Sequence, residues 1–108
     1  MFTVLLRLRV YGMLRELLKD LQYEESVKEE DLEAVKEKLL IFMLETLSLR
    51  EYNLVCMRYN LDGKHKGKKR SYKELAELFC YSTVLIDSSI KKALSKLKVK
   101  GIRNVIES

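Results

Sequence analysis

The sequence predicts an all-α fold, and three observations lead to that prediction. Proline is absent and glycine occurs only 4 times in 108 residues, so little in the chain interrupts a helix. Apolar residues recur at spacings of three and four along most of the chain. Hydrophobic residues make up 47% of the sequence, which is enough apolar surface for one core. We expect an N-terminal helical extension at 1–25 and a small helical domain at 26–108.

The first predicted helix covers residues 3–22. Its single apolar stripe consists of Leu6, Val10, Leu14, Leu17 and Leu21. A short strand at the start is the alternative, because the first ten residues include β-branched side chains. The stripe needs cover, and we expect it to fold back onto the next helix. Pairing with a second chain is the other way to cover it.

A second helix is predicted at 29–47, after a polar linker. Ser26 and Glu29 have the spacing of a capping box at its start. The expected inner residues are Leu32, Val35, Leu39, Phe42 and Leu47. The segment 39–44 is apolar all round, so both of its sides need cover. This indicates either a central core helix or a helix that also docks on a partner.

Three shorter helices complete the expected fold, at 50–60, 72–79 and 83–98. A serine precedes each one as a candidate N-cap, namely Ser48, Ser71 and Ser82. Gly101 marks the end of the last helix. The expected inner face of the helix at 72–79 consists of Tyr72, Leu75, Ala76 and Phe79. That of the helix at 83–98 consists of Ile86, Ile90, Ala93, Leu94 and Leu97.

The last two predicted helices are joined by only three residues, 80–82, which is the layout of a helix-turn-helix. This motif projects its second helix so that the helix can enter the major groove of a DNA duplex. The lysine-rich stretch 64–70 that precedes the motif is predicted to be an exposed loop.

Positive charge is concentrated in the second part of the chain. Residues 1–62 carry 9 Lys or Arg against 12 Asp or Glu, a net charge of −3. Residues 63–108 carry 12 Lys or Arg against 4 Asp or Glu, a net charge of +8. This asymmetry favours an interaction with a polyanion over a merely solubilising surface.

The sequence indicates neither an enzyme nor a metal or cofactor site. The only histidine, His65, lies between two lysines in the predicted loop. Cys56 and Cys80 have no histidine placed to activate them, so we expect both to be buried as small apolar side chains. No glycine-rich phosphate loop is present, and we expect no small-molecule ligand.

The same residues favour a cytoplasmic protein. The longest run of apolar residues, 39–44, is far shorter than a membrane span, so we expect no membrane association. The first ten residues do not have the pattern of a secretory signal. Two cysteines without disulfide or metal spacing suit a reducing compartment.

Two segments resemble region 4 of bacterial sigma-70-type RNA polymerase sigma factors. The first reads LSLRE at 47–51 and VCMRYNLDG at 55–63. The second reads SYKELAE at 71–77 and closes with KALSKLK at 92–98. The resemblance covers 47–98 closely and 29–46 by helix pattern alone, whereas 1–25 lies outside it.

The resemblance implies a free-standing region 4 that binds double-stranded DNA and docks on the β flap of core RNA polymerase. In 108 residues there is no room for the family's other main DNA-binding region. Arg50, Arg58 and Lys92 match family positions that contact DNA phosphates. The other cations that we expect at the DNA backbone are Lys64, Lys66, Lys68, Lys69, Arg70, Lys73 and Lys91.

The outward face of the predicted recognition helix departs from the family. It consists of Thr83, Val84, Leu85, Asp87 and Ser88, where the family tends to have arginine, glutamate and glutamine. Arginine readout of guanine is therefore not available, and contact with thymine methyl groups is the readout that remains. The alternative function is a protein-interaction module that binds RNA polymerase or another regulator through Val84 and Leu85, without reading DNA sequence.

Overall fold

A computed structural model describes residues 13–23, 25–61 and 69–107. Its helices are α1 (Leu14–Asp20), α2 (Leu32–Thr46), α3 (Leu49–Arg58), α4 (Tyr72–Phe79), α5 (Thr83–Lys100) and α6 (Ile102–Glu107). A single 3₁₀ turn at Glu29–Asp31 precedes α2. All regular secondary structure in these ranges is helical, which confirms the predicted all-α fold.

The larger of two hydrophobic cores lies among α1, α2, α6 and the inner faces of α3 and α5. α1 contributes Leu14 and Leu17, and Leu21 follows directly after it. The apolar residues of the described part of the first helix are therefore buried in the same core as those of α2. Residues 3–12, with the alternative of a short strand, lie outside the described residues. All five predicted inner residues of the second helix are buried.

The second, smaller core belongs to the helix-turn-helix. It consists of Leu54 from α3, Leu75 from α4, and Ile86 and Ile90 from α5. Leu94 packs against both cores and so joins them. The remaining predicted inner residues of α4 lie half-buried at the edge of this core, namely Tyr72, Ala76 and Phe79. The helix-turn-helix thus rests on α3.

Serine side chains begin three of the helices, as the sequence predicts. The hydroxyl of Ser48 accepts the Glu51 amide at 3.2 Å, and that of Ser71 accepts the Glu74 amide at 3.1 Å. In both cases the glutamate carboxylate accepts the serine amide in return, which completes a capping box. Ser82 caps α5 through the Leu85 amide at 3.2 Å.

The capping box predicted at Ser26 is wrong. Residues Glu29–Asp31 form a 3₁₀ turn, and no side chain caps it at Lys28. Because this turn delays the start of α2 to Leu32, the first α-helical amides lie too far along the chain for Ser26. The linker is held instead by Arg15, whose Nη1 donates to the carbonyl of Val27 at 2.9 Å.

The end of the chain contains a helix that the sequence analysis missed. α5 ends at Gly101 as predicted, in the left-handed conformation with φ of +89°. Six further residues then form α6, which packs on α2 and buries Ile102 and Ile106. Their spacing of four was the available signal, in a segment too short for periodicity to be decisive.

The helices of the described ranges include none that is long and apolar enough to cross a membrane.

Candidate nucleic-acid interface

The turn between α4 and α5 depends on a left-handed residue. Cys80 has φ of +57° and ends α4, while the Tyr81 amide donates to the Ala76 carbonyl at 3.0 Å. The Cys80 side chain is exposed at this turn, so its predicted burial is wrong, and Cys56 is half-buried. The reason is that Cys80 follows the last residue of α4 and lies beyond the small core.

The buried side of α5 fixes which residues face outward. Ile86, Ile90 and Ala93 point into the molecule, so the opposite stripe of the helix faces solvent. The predicted outward residues divide accordingly. Thr83, Val84 and Ser88 are exposed, whereas Leu85 and Asp87 are half-buried.

Five lysines of the helix-turn-helix reach solvent: Lys73 on α4, and Lys91, Lys92, Lys98 and Lys100 on α5. Lys91 forms an i,i+4 ion pair with Asp87 at 3.1 Å and remains exposed. Asp87 therefore lowers the net positive charge of this face by one. The exposed cations of α5 lie on its C-terminal half, from Lys91 to Lys100.

Arg50 adds a cation beside the turn. Its guanidinium lies 5.5 Å from the ring centroid of Tyr81, which in turn stacks on Phe79 with centroids 6.0 Å apart. The Arg50 side chain is exposed at the first turn of α3. It thus sits next to the connection between the two helices of the motif.

Lys69 is engaged within the molecule. Its Nζ lies 3.1 Å from a Glu16 carboxylate oxygen and 3.4 Å from Asp20 Oδ2. It also lies 5.3 Å from the ring centroid of Tyr59. The Tyr59 hydroxyl donates to the same Asp20 oxygen at 2.5 Å. This network attaches the segment before α4 to α1.

Arg58 and Arg70 link the end of α3 to the segment that precedes α4. Arg58 Nη1 donates to the Arg70 carbonyl, and Arg70 Nη1 donates to the Met57 carbonyl at 3.1 Å. The Arg58 guanidinium also lies 4.4 Å from the ring centroid of Tyr72. The predictions for Lys64, His65, Lys66 and Lys68 lie outside the described residues.

Lys96 joins α5 to α3 through Glu51, a side chain that is only 5% exposed. The Lys96 ammonium donates to Glu51 Oε1 at 2.7 Å. Burial alone would raise the pKa of the Glu51 carboxyl. The hydrogen bonds from Lys96 and Ser48 outweigh that cost and leave its pKa below the usual value. Lys96 therefore neutralises a buried carboxylate.

Arg103 is engaged at the other end of the molecule. Its Nη1 contacts Glu25 at 3.3 Å and Glu107 at 3.2 Å, and its guanidinium lies 5.5 Å from the Tyr23 ring. Arg103 therefore fixes α6 against residues 23–25. Among the described residues of the second half of the chain, one set of cations is defined by ion pairs with carboxylates of other segments, namely Lys69, Lys96 and Arg103, and we call it the inward set. The exposed lysines of α4 and α5 form the outward set. Sequence positions do not reveal this division.

The described residues contain no group of three or more His, Cys, Asp or Glu side chains arranged to hold a metal ion.

No protein family, curated protein or solved structure matches this chain. The resemblance to sigma region 4 therefore stays a prediction from the residues quoted above.

Proposed function

We propose that the protein binds double-stranded DNA through its helix-turn-helix, with the N-terminal part of α5 in the major groove. Its place would be in transcription, as a counterpart of sigma region 4. The observation that carries this proposal is the outward face of α4 and α5. There, exposed lysines lie on α4 and on the C-terminal half of α5, and the opposite side of α5 is fixed in the core.

Affinity in this proposal comes from phosphate contacts. The contributing side chains are Arg50, Lys73, Lys91, Lys92 and Lys98, all of which are exposed. Contacts of this kind hold a protein on DNA without reading its sequence. Three other cations connect segments of the protein and are not assigned to DNA, because each forms an ion pair with a carboxylate of another segment. These are Lys69, Lys96 and Arg103.

Core RNA polymerase is the protein partner that the resemblance suggests. An alternative to DNA binding is a module that only docks on polymerase or on another regulator. Exposed apolar side chains favour this second candidate, because Val84 is 77% exposed on α5 and Ile41 and Leu44 are more than half exposed on α2. Direct binding to purified core polymerase, with no measurable duplex binding, would support the alternative over the proposal.

The salt dependence of duplex binding tests the proposal. The logarithm of the binding constant should fall linearly with the logarithm of the salt concentration, by about 0.9 for each phosphate contacted. The double variant Lys73→Gln/Lys92→Gln should weaken binding to all duplexes alike and lower the slope by about two. Fluorescence anisotropy at several salt concentrations measures both quantities.

The matched control is Lys19→Gln/Lys28→Gln. Lys19 belongs to α1 and Lys28 to the segment before α2, and both are exposed. The control removes the same charge as the test variant and should leave the slope unchanged. Equal effects of the two double variants would mean that net charge alone attracts DNA, which would contradict an interface on α4 and α5.

A further inference from the structure

The first two turns of α5 carry few groups able to read a base. They contain no Lys, Arg, Asn or Gln, as the segment TVLIDSSI at 83–90 shows. Of the outward polar groups, the Ser88 hydroxyl donates to the Leu85 carbonyl at 3.1 Å and the Asp87 carboxylate pairs with Lys91. The usual bidentate hydrogen bonds to guanine or adenine are therefore absent from this surface.

Val84 is the exposed large hydrophobic side chain in this part of the helix. It is 77% exposed and shares one stripe with Ser88 and Lys91, at spacings of four and seven. Thr83 is also exposed, but it is the first residue of α5 and lies outside this stripe. The centre of the outward surface is thus formed by the two methyl groups of a valine.

A valine can recognise only an apolar group on a base edge. In the major groove that group is the methyl at C5 of a pyrimidine, which thymine carries and which cytosine carries only when methylated. We propose that Val84 is the specificity-determining residue of this protein and that it selects duplexes with methyl groups at pyrimidine C5. This inference rests on the proposed DNA-binding function.

The lysines near Val84 suit this role. Lys91 and Lys92 follow it by about two helical turns on the exposed side of α5, and Lys73 is exposed on α4. Phosphate contacts by these side chains would leave the base edges to the N-terminal part of the helix. A single apolar contact then gives a modest preference on top of a larger affinity that is indifferent to sequence.

Duplexes that differ only in the methyl group provide the test. An alternating adenine–thymine duplex offers a thymine methyl group to Val84 wherever the protein binds along it. The same duplex made with deoxyuridine lacks every one of these methyl groups. We expect the wild-type protein to bind the thymine duplex about fourfold more tightly for each methyl contacted. A mixed-sequence duplex with and without C5-methylated cytosines forms the second arm, in which we expect a similar preference for the methylated form.

Two variants identify the residue responsible. Val84→Ala should abolish the methyl preference while retaining duplex binding. Val99→Ala is the matched control, because Val99 is 86% exposed but lies near the far end of α5, and it should retain the preference. Both sites are exposed, so neither variant should unfold the protein, and circular dichroism checks this.

The outcomes distinguish failure of the inference about Val84 from failure of the proposed DNA-binding function. Equal binding of the thymine and deoxyuridine duplexes by the wild type overturns the inference and leaves DNA binding intact. A preference that persists in Val84→Ala also overturns it, because the effect would then come from the DNA or from another residue. A response to thymine but not to methylcytosine overturns the general methyl preference. Absence of duplex binding overturns both the inference and the proposed function.

Discussion

The α1 side of the molecule and the α4–α5 pair use the same residue types differently. On the α1 side, Lys69 and Arg103 contact carboxylates and aromatic rings of other segments. On the α4–α5 side, Lys73, Lys92 and Lys98 extend into solvent. A cation whose partner lies within the fold contributes to stability, whereas one that faces solvent remains available to a phosphate.

The two regions also differ in their cores. The larger core draws on five of the helices and includes residues from both ends of the described chain. The smaller core buries only four residues, and it is joined to the larger one by Leu94 and by α3 and α5, which contribute to both. We therefore expect the helix-turn-helix to be stable only as part of the whole.

The largest effect should come from the small core. Leu75→Ala removes a fully buried side chain and should lower the free energy of unfolding by about 3 kcal/mol. Because Leu94 joins the cores, urea denaturation followed by circular dichroism should still show one transition. Leu78→Ala, on the exposed side of the same helix, should change stability by less than about 0.5 kcal/mol. Two separate transitions would mean that the helix-turn-helix unfolds independently.

A smaller effect should follow from breaking the ion pair between α5 and α3. Lys96→Met leaves the buried Glu51 carboxylate without its ammonium partner and should cost about 2 kcal/mol. Lys98→Met, an exposed neighbour two residues on, should cost less than about 0.5 kcal/mol. Urea denaturation of both variants measures the difference. Equal costs would contradict the division into inward and outward cations.

The effect of Lys96→Met should also depend on pH. The pKa of Glu51 is lowered in the folded protein, so the unfolded chain binds the proton first, near its ordinary value of 4.5. The stabilisation is therefore complete above pH 4.5 and is lost as the pH falls further. The stability difference between wild type and Lys96→Met should shrink below that pH.

The smallest expected effect is a gain of stability at the turn. Cys80→Gly places the residue that tolerates positive φ where a cysteine adopts φ of +57°. Thermal denaturation should show a stabilisation of about 1 kcal/mol, because glycine removes the steric cost of the left-handed conformation. Cys56→Gly is the contrasting variant: Cys56 lies within α3, where glycine should destabilise the helix. A loss of stability in Cys80→Gly would show that the cysteine side chain contributes contacts at the turn.

Five of the six described helices and three of the four predicted caps follow from local patterns in the sequence. Ser48, Ser71 and Ser82 begin helices as predicted because an N-cap depends on an amide only three residues away. The inner faces of the helices also follow from spacing alone. The capping box predicted at Ser26 is absent because the chain forms a 3₁₀ turn before α2. The path of this segment depends on the hydrogen bond that attaches it to α1.

By contrast, the division of the cations into an inward and an outward set follows from the way the helices pack. Lys69 and Asp20 are 49 residues apart in the chain, and Lys96 and Glu51 are 45 apart, so no local pattern reveals these partners. The sequence shows how many cations a segment carries, but it does not show where their side chains point. The direction of each side chain depends instead on which carboxylates the packing of the helices brings within reach, and that packing is set by the whole core.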